Sequence, residues 1–291
     1  MIETVITVLG WEDRFPLGME IILSKYKVKR IVLISFIDYC SMDKMEDNKK
    51  NLLENCAMEK IEVVEVNLEY SNSINNWKCL DQFFEKETEN IEYLLNITTI
   101  PRETIWALLF FLRQKNSHIN YIYFKPETYC DGWLTKNYKN PRLLFKHSGV
   151  FELDKKLALF IITGFDDSRL DSLIEYYEPS KIVVFSQRGN QFHNMDRNKY
   201  IKKSNSFESE IVEFDSYDVE EATKILNDTI IKYGDSNIII SSQGPKLSSL
   251  STYKNHLLHD SIAFAYVPAQ DFNLEYSKGI NPDYIDGKLE I

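Results

Sequence analysis

The sequence predicts an α/β fold in two tandem units, each built on a mostly parallel sheet, and three observations predict it. Short apolar, β-branched runs alternate with longer amphipathic stretches along the whole chain. The runs lack the apolar/polar alternation of a one-sided sheet, which suits strands buried on both faces. Loop residues of the first half also recur, in order, in the second half.

Strands are expected near 4–9, 30–35, 62–67, 92–97 and 120–125 in the first copy. They are expected near 157–163, 181–186, 210–214, 236–241 and 262–267 in the second. Stretches of helical length and mixed charge, such as Asp43–Ala57 and Thr104–Gln114, lie between them. Pro101 stands at a strand-to-helix turn, where its fixed φ suits a first helical turn. Gly234 is placed to cap the helix that begins before Asp228.

The repeat is read from matched residues. Gly10 pairs with Gly164, Ser35 with Ser186 and Val63–Val66 with Ile211–Phe214. Thr98-Thr-Ile-Pro-Arg102 pairs with Ser242-Gln-Gly-Pro-Lys246, and Tyr121–Pro126 with Ala263–Pro268. Lys136 and Lys278 each lie ten residues after the matched proline. The offset shrinks from 154 at Gly10 to 142 at Pro126, as small loop deletions would produce. A shared β-α-β rhythm alone would not match glycine, proline and basic residues at the same loop positions. The expected domains are therefore a Rossmann-like unit over 1–150 and its internal duplicate over 151–291.

Five β-α units with right-handed crossovers make a doubly wound sheet. With strand order 3-2-1-4-5 the switch point lies between strands 1 and 4, where such sheets bind ligands at the strands' carboxyl ends. The loops most alike between the copies follow these same two strands. The strand-4 loops offer hydroxyls (Thr98, Thr99; Ser241, Ser242), a helix N-terminus and a cation (Arg102; Lys246). That combination suits an anion such as phosphate, although Ser/Thr helix capping explains the hydroxyls equally well. Gly244 would let backbone approach a ligand, and Ile100 occupies its place in the first copy, so two unequal sites are expected. The strand-1 loops carry Gly10 and Gly164, the acids Glu12-Asp13 and Asp166-Asp167, then Arg14 and Arg169. Paired carboxylates serve acid–base chemistry or hold a metal, but they also cap helices and pair with arginine. Asp13 and Asp167 are the catalytic candidates. Trp11 and Phe165, next to the repeated glycines, either stack on a base or plug the sheet edge.

Several classes are disfavoured. No GxGxxG follows either first strand, and neither a Walker A loop nor a GxSxG elbow occurs. A formal net charge of −10 argues against an extended face for duplex nucleic acid. Cys40, Cys56, Cys79 and Cys130 form no CxxC pair and read as free thiols. His256 and His259 share a helix spacing without an evident third ligand, so no metal site is assigned. No export signal or membrane-length apolar run is seen, and a cytoplasmic protein without membrane contact is expected.

The segments Leu95-Asn-Ile-Thr-Thr-Ile-Pro-Arg102 and Ile240-Ser-Ser-Gln-Gly-Pro-Lys246 resemble the strand-4 signature of CARF-like domains, the Rossmann-like sensors of CRISPR-associated and other defence proteins. The resemblance implies a pair of such loops facing one cyclic oligonucleotide, here within a single chain. The first copy departs from the pattern in lacking the glycine. The functional expectation is a ligand-sensing protein, not or only weakly enzymatic, that binds a nucleotide-like anion and signals to a protein effector. A nucleotide or phosphoester hydrolase using the acidic strand-1 loops with a divalent metal is one alternative. A structural subunit of a larger complex is another.

Overall fold

A computed structural model describes residues 2–39, 43–89, 91–130, 133–164, 169–188 and 208–290. The chain is mixed α/β, with two largely parallel sheets belonging to two compact, Rossmann-like units. Unit 1 comprises 1–132 and 274–291, and unit 2 comprises 133–273.

Unit 1 begins with strand β1 (Thr4–Val8), helix α1 (Arg14–Lys25), β2 (Arg30–Phe36), α2 (Asp43–Glu59) and β3 (Glu62–Leu68). It continues with α3 (Ser73–Glu85), β4 (Tyr93–Asn96), α4 (Arg102–Leu112), β5 (His118–Tyr123) and β6 (Thr128–Tyr129). Unit 2 contains β7 (Thr135–Tyr138), β8 (Arg142–Leu143), β9 (Lys156–Ile162), α5 (Leu170–Tyr177), β10 (Lys181–Gln187) and β11 (Glu208–Phe214). Then come α6 (Val219–Lys232), β12 (Ser236–Ser242), α7 (Ser248–Leu258), β13 (Ala263–Tyr266) and β14 (Ala269–Phe272). The chain returns to unit 1 for β15 (Ser277–Lys278) and β16 (Ile285–Glu290).

The sheet of unit 1 runs β16-β5-β4-β1-β2-β3, and that of unit 2 runs β11-β10-β9-β12-β13-β8. Counted within each unit, both have the order 3-2-1-4-5 expected from the sequence, followed by one antiparallel edge strand. The other five strands of each sheet pair in parallel. Their apolar runs are buried because helices cover both faces: Val5, Ile6, Ile31 to Ile34, Leu94 and Leu95 are at most 1% exposed. The core on one face of unit 1 gathers Phe15, Met19 and Ile22 from α1 with Met45, Leu52 and Cys56 from α2. Helices α3 and α4 pack together, with Phe84 stacked on Phe111 at 5.4 Å and Trp106 fully buried. In unit 2, Leu170 and Leu173 of α5 close over Leu159, Ile161, Ile182 and Val184.

The units divide the chain differently from a cut at residue 150. Residues 133–150 join unit 2 because β7 pairs with β14 and β8 with β13. Residues 274–291 join unit 1 because β15 pairs with β6 and β16 with β5 along six residues. Backbone pairing satisfies the open edge of the fifth strand in each case, and the edge strand comes from elsewhere in the sequence. Gly234 follows the C-cap Tyr233 and takes part in the cap, though without a left-handed φ: Tyr233 N donates to Thr229 O and Ile230 O, both at 3.1 Å, and Gly234 N to Ile231 O at 3.2 Å. No helix is long and apolar enough to cross a membrane among the described residues.

At the amino ends of the unit 1 strands, Glu87 is 8% exposed and accepts from both Arg30 guanidinium nitrogens at 2.8 and 2.7 Å and from Tyr93 Oη at 2.7 Å. Burial alone would raise its pKa, but the bonds from Arg30 and Tyr93 outweigh this and hold it below its ordinary 4.5. A carboxylate depressed in the native state stabilises the fold above its unfolded pKa, and that contribution is lost as pH falls through the folded value. Acid titration of unfolding should therefore show unit 1 weakening below about pH 4.5. Glu87→Gln should flatten that dependence, and an unchanged profile would remove Glu87 as its source.

Candidate functional site

The carboxyl ends of β1 and β4, and of β9 and β12, place the matched loops side by side in each unit, as a doubly wound sheet requires. In unit 1 these loops touch. Thr99 Oγ1 donates to Val8 O at 2.6 Å, and a Cβ on Gly10 would lie 2.7 Å from Thr99 Cγ2. Gly10 O accepts from Asn48 Nδ2 at 2.8 Å. Asn96, fully buried at the end of β4, binds the strand ends together. Its Oδ1 accepts from Thr98 N and Thr98 Oγ1 at 3.2 and 2.7 Å, and its Nδ2 lies 3.3 Å from Thr7 Oγ1. Thr98 Oγ1 in turn accepts from Phe124 N at 3.1 Å. The Thr98 hydroxyl is thus buried and ties the end of β4 to the residue after β5, while Asn96 reaches across to β1.

The strand-1 loop of unit 1 is likewise committed. Arg14 is 2% exposed and pairs with Glu12 through Nε at 2.8 Å and through a guanidinium nitrogen. That group also donates to Phe124 O at 3.1 Å and to Tyr276 Oη at 2.8 Å. Glu12 accepts from Tyr276 Oη at 2.7 Å and Ser277 Oγ at 3.0 Å, so β15 and the residue before it complete the cluster. Burial alone would lower the Arg14 pKa, and the Glu12 carboxylate together with Tyr276, Tyr123 and Tyr129 more than reverses this. Burial, then Glu12, pushes the Tyr276 hydroxyl well above its ordinary value, so it stays neutral. Arg14 is thus the buried partner of Glu12, the pairing of acid with arginine that the loop's composition allowed. Asp13, a catalytic candidate from the sequence, is exposed and accepts from Gly279 N at 3.0 Å. Trp11 is half-buried and packs on the α1/α2 core, in keeping with a plug.

In unit 2 the two loops meet backbone to backbone. A Cβ on Gly244 would lie 2.7 Å from Thr163 O, and one on Gly164 would lie 2.8 Å from Gly244 Cα. Gln243 N donates to Ile162 O at 2.8 Å. The nearest use of Gly244 is thus the approach of the strand-1 loop, where the sequence had pointed to the approach of a ligand. Ser241 and Ser242 are buried. Ser242 Oγ lies 2.5 Å from Ser248 Oγ, which donates to Pro245 O at 2.7 Å. The two proline turns also differ. Pro101 is the N-cap of α4 with Arg102 first in the helix, whereas Pro245 and Lys246 form a turn before α7 begins at Ser248.

Arg169 donates to Thr135 Oγ1 at 2.9 Å and lies over the Tyr138 ring at 5.4 Å. Asp166 and Asp167, with Phe165 and Ser168, lie outside the described residues. The half-buried polar side chains at these carboxyl ends are Thr99 and Arg102 in unit 1 and Arg169, Gln243 and Lys246 in unit 2. Sequence reasoning had not singled out Gln243, although its place opposite Thr99 was visible. Nothing local in the sequence signals the bridging role of Asn96, or that Tyr276 and Ser277 meet Glu12. His256 and His259 form no pair: the His256 ring lies 4.8 Å from that of His147, and His259 Nε2 lies 2.8 Å from Asn227 Oδ1. No three His, Cys, Asp or Glu side chains gather as a metal centre among the described residues.

No family model matches the chain, and no curated protein matches it. Nine chains of solved structures do. One is described as a type III CRISPR defence DNA nuclease activated by cyclic oligoadenylate. It superposes with a TM-score of 0.57 at 8% identity, over 96% of this chain and 68% of that one. The likeness is one of fold.

Proposed function

We propose that this chain is a CARF-like, cytoplasmic sensor that binds a nucleotide-like anion, a cyclic oligonucleotide, in a defence system and passes the signal to a protein effector. The observation that carries the reading is the fold likeness, over 96% of the chain, to a nuclease activated by cyclic oligoadenylate. The matched loops at the switch points support it, because that is where doubly wound sheets bind ligands. In this reading the site of unit 2, with Gln243, Lys246 and Arg169, is the stronger, and that of unit 1, with Thr99 and Arg102, the weaker. The common strand order supports the further reading that the units descend from one duplicated ancestor. A hydrolase reading would use Asp13, Asp167 and a divalent metal, and no observation favours it.

Cyclic tetra- and hexa-adenylate, added in a thermal-unfolding series, should stabilise the protein. A ligand specific for the native state adds about 2.7 kcal/mol at a hundredfold excess over Kd. Lys246→Glu should weaken binding about tenfold or more, equivalent to roughly 1.4 kcal/mol, and Arg102→Glu should do so less. Equal losses at the two positions would contradict the asymmetry. No stabilisation by any cyclic nucleotide would overturn the sensor reading.

A further inference from the structure

Unit 2 carries a surface that the switch-point loops do not explain. The chain has a net charge of −10, yet Trp133-Leu-Thr-Lys-Asn-Tyr-Lys-Asn-Pro-Arg142 contains three cations and no carboxylate. This segment forms the β7 side of the β7–β14 ribbon, which follows β13 at the carboxyl ends of the strands. Trp133 is 40% exposed, whereas Trp77 and Trp106 are buried and Trp11 is half-buried. Lys136 Nζ sits 4.3 Å from the centre of the Trp133 ring, and Lys139 is exposed nearby in the sequence.

The ribbon beneath these side chains is well anchored. Asn273 N donates to Leu134 O and Asn273 Nδ2 to Trp133 O, both at 2.9 Å. Lys139 N donates to Pro268 O at 2.8 Å. Arg169 donates to Thr135 Oγ1 and lies over the Tyr138 ring. Asp271 lies opposite Lys136 in register, but its carboxylate accepts from Asn137 Nδ2 at 2.5 Å, with Asn137 in the left-handed region at φ 53°. The corresponding ribbon of unit 1 has no such platform, since Tyr129 stacks on Tyr276 and the Tyr276 hydroxyl is drawn into the Glu12 cluster.

An exposed indole on a fixed backbone with lysines beside it joins the two contacts single-stranded nucleic acid needs: a stacking face for a base and cations for phosphates. A duplex keeps its bases stacked on one another, so it offers the indole nothing. We propose that the β7–β14 ribbon is a contact surface for a linear single-stranded oligonucleotide, with a base stacked on Trp133 and phosphates at Lys136 and Lys139.

The test is an anisotropy titration of the full chain with fluorescein-labelled linear hexa-adenylate RNA across a salt series, read together with tryptophan fluorescence. Binding should quench that fluorescence. Trp133→Ala should weaken it about tenfold. The Lys136→Glu/Lys139→Glu double variant should weaken it further and make the log-affinity against log-salt slope shallower by about 1.4. All three side chains are exposed, so melting temperatures should stay at the wild-type value. Absence of binding, a Trp133→Ala variant that binds as wild type, or equal affinity for a duplex of the same length would each overturn the proposal. So would full competition by heparin with no quenching by the RNA, which would mark a mere polyanion surface. The switch-point reading is tested with cyclic ligands and the Lys246 variant, so either can fail without the other.

Discussion

Replacing Arg14 with alanine is expected to destabilise unit 1 by about 3–5 kcal/mol, since it strands the Glu12 carboxylate in a buried site. Glu12 is 7% exposed, and the Tyr276 and Ser277 hydroxyls that also donate to it do not neutralise its charge. Removing both charges should be far milder. Glu12→Leu combined with Arg14→Met should lie near wild-type stability, because the pair's mutual attraction mostly offsets its desolvation. The measurement is urea unfolding followed by tryptophan fluorescence, which reports on unit 1 through Trp11, Trp77 and Trp106. Single and double variants that lose stability equally would show that shape, and not the buried charge, sets the cost.

The second large effect is expected at Gly244. A methyl group there would lie 2.7 Å from Thr163 O and 3.2 Å from Ile162 Cγ2. The nearer neighbour is backbone at the end of a central strand, so it cannot rotate away. Gly244→Ala should cost about 1–3 kcal/mol, the range for overpacking a well-filled interior. Gly234→Ala is the control, since its nearest neighbour, Ile231 O, lies at 3.3 Å, and its cost should be smaller. Equal melting temperatures for the two variants would sink the close-approach account. Gly164→Ala would probe the same contact from the other side.

Much of the fold is legible in the sequence, for a specific reason. Strands buried on both faces must be apolar throughout, so runs such as Arg30–Ser35 and Lys181–Ser186 announce their positions within a residue or two. The 3-2-1-4-5 order follows from handed crossovers, which depend on chain chirality and not on particular side chains. The candidate loops are also legible, because glycine, proline and cations stand out against apolar strand ends.

The direction of the side chains is not. Thr98 and Ser242 look available in sequence, but each hydroxyl is consumed by partners that only the folded neighbourhood supplies, Asn96 and Phe124 for one and Ser248 for the other. Gly244 announces that something approaches closely without saying whether ligand or backbone does. The pairing of Arg14 with the neighbouring acids is open to the sequence, but the Tyr276 hydroxyl that completes the cluster comes from a segment 262 residues away. The boundary at 150 fails for the same reason: strand pairing between distant segments leaves no local trace.

The split membership of unit 1 has a consequence for synthesis. Unit 2 is continuous from 133 to 273, whereas unit 1 is interrupted by it. On the ribosome the amino-terminal part emerges first, but it has to wait, with the outer backbone groups of β5 unpaired, until β16 has been translated. The last strand of unit 2, β14, is complete at Phe272, before β15 and β16 are made. A chain released early, after residue 273, would thus pair a finished unit 2 with a unit 1 that exposes a bare strand edge, the kind of edge through which nascent chains aggregate.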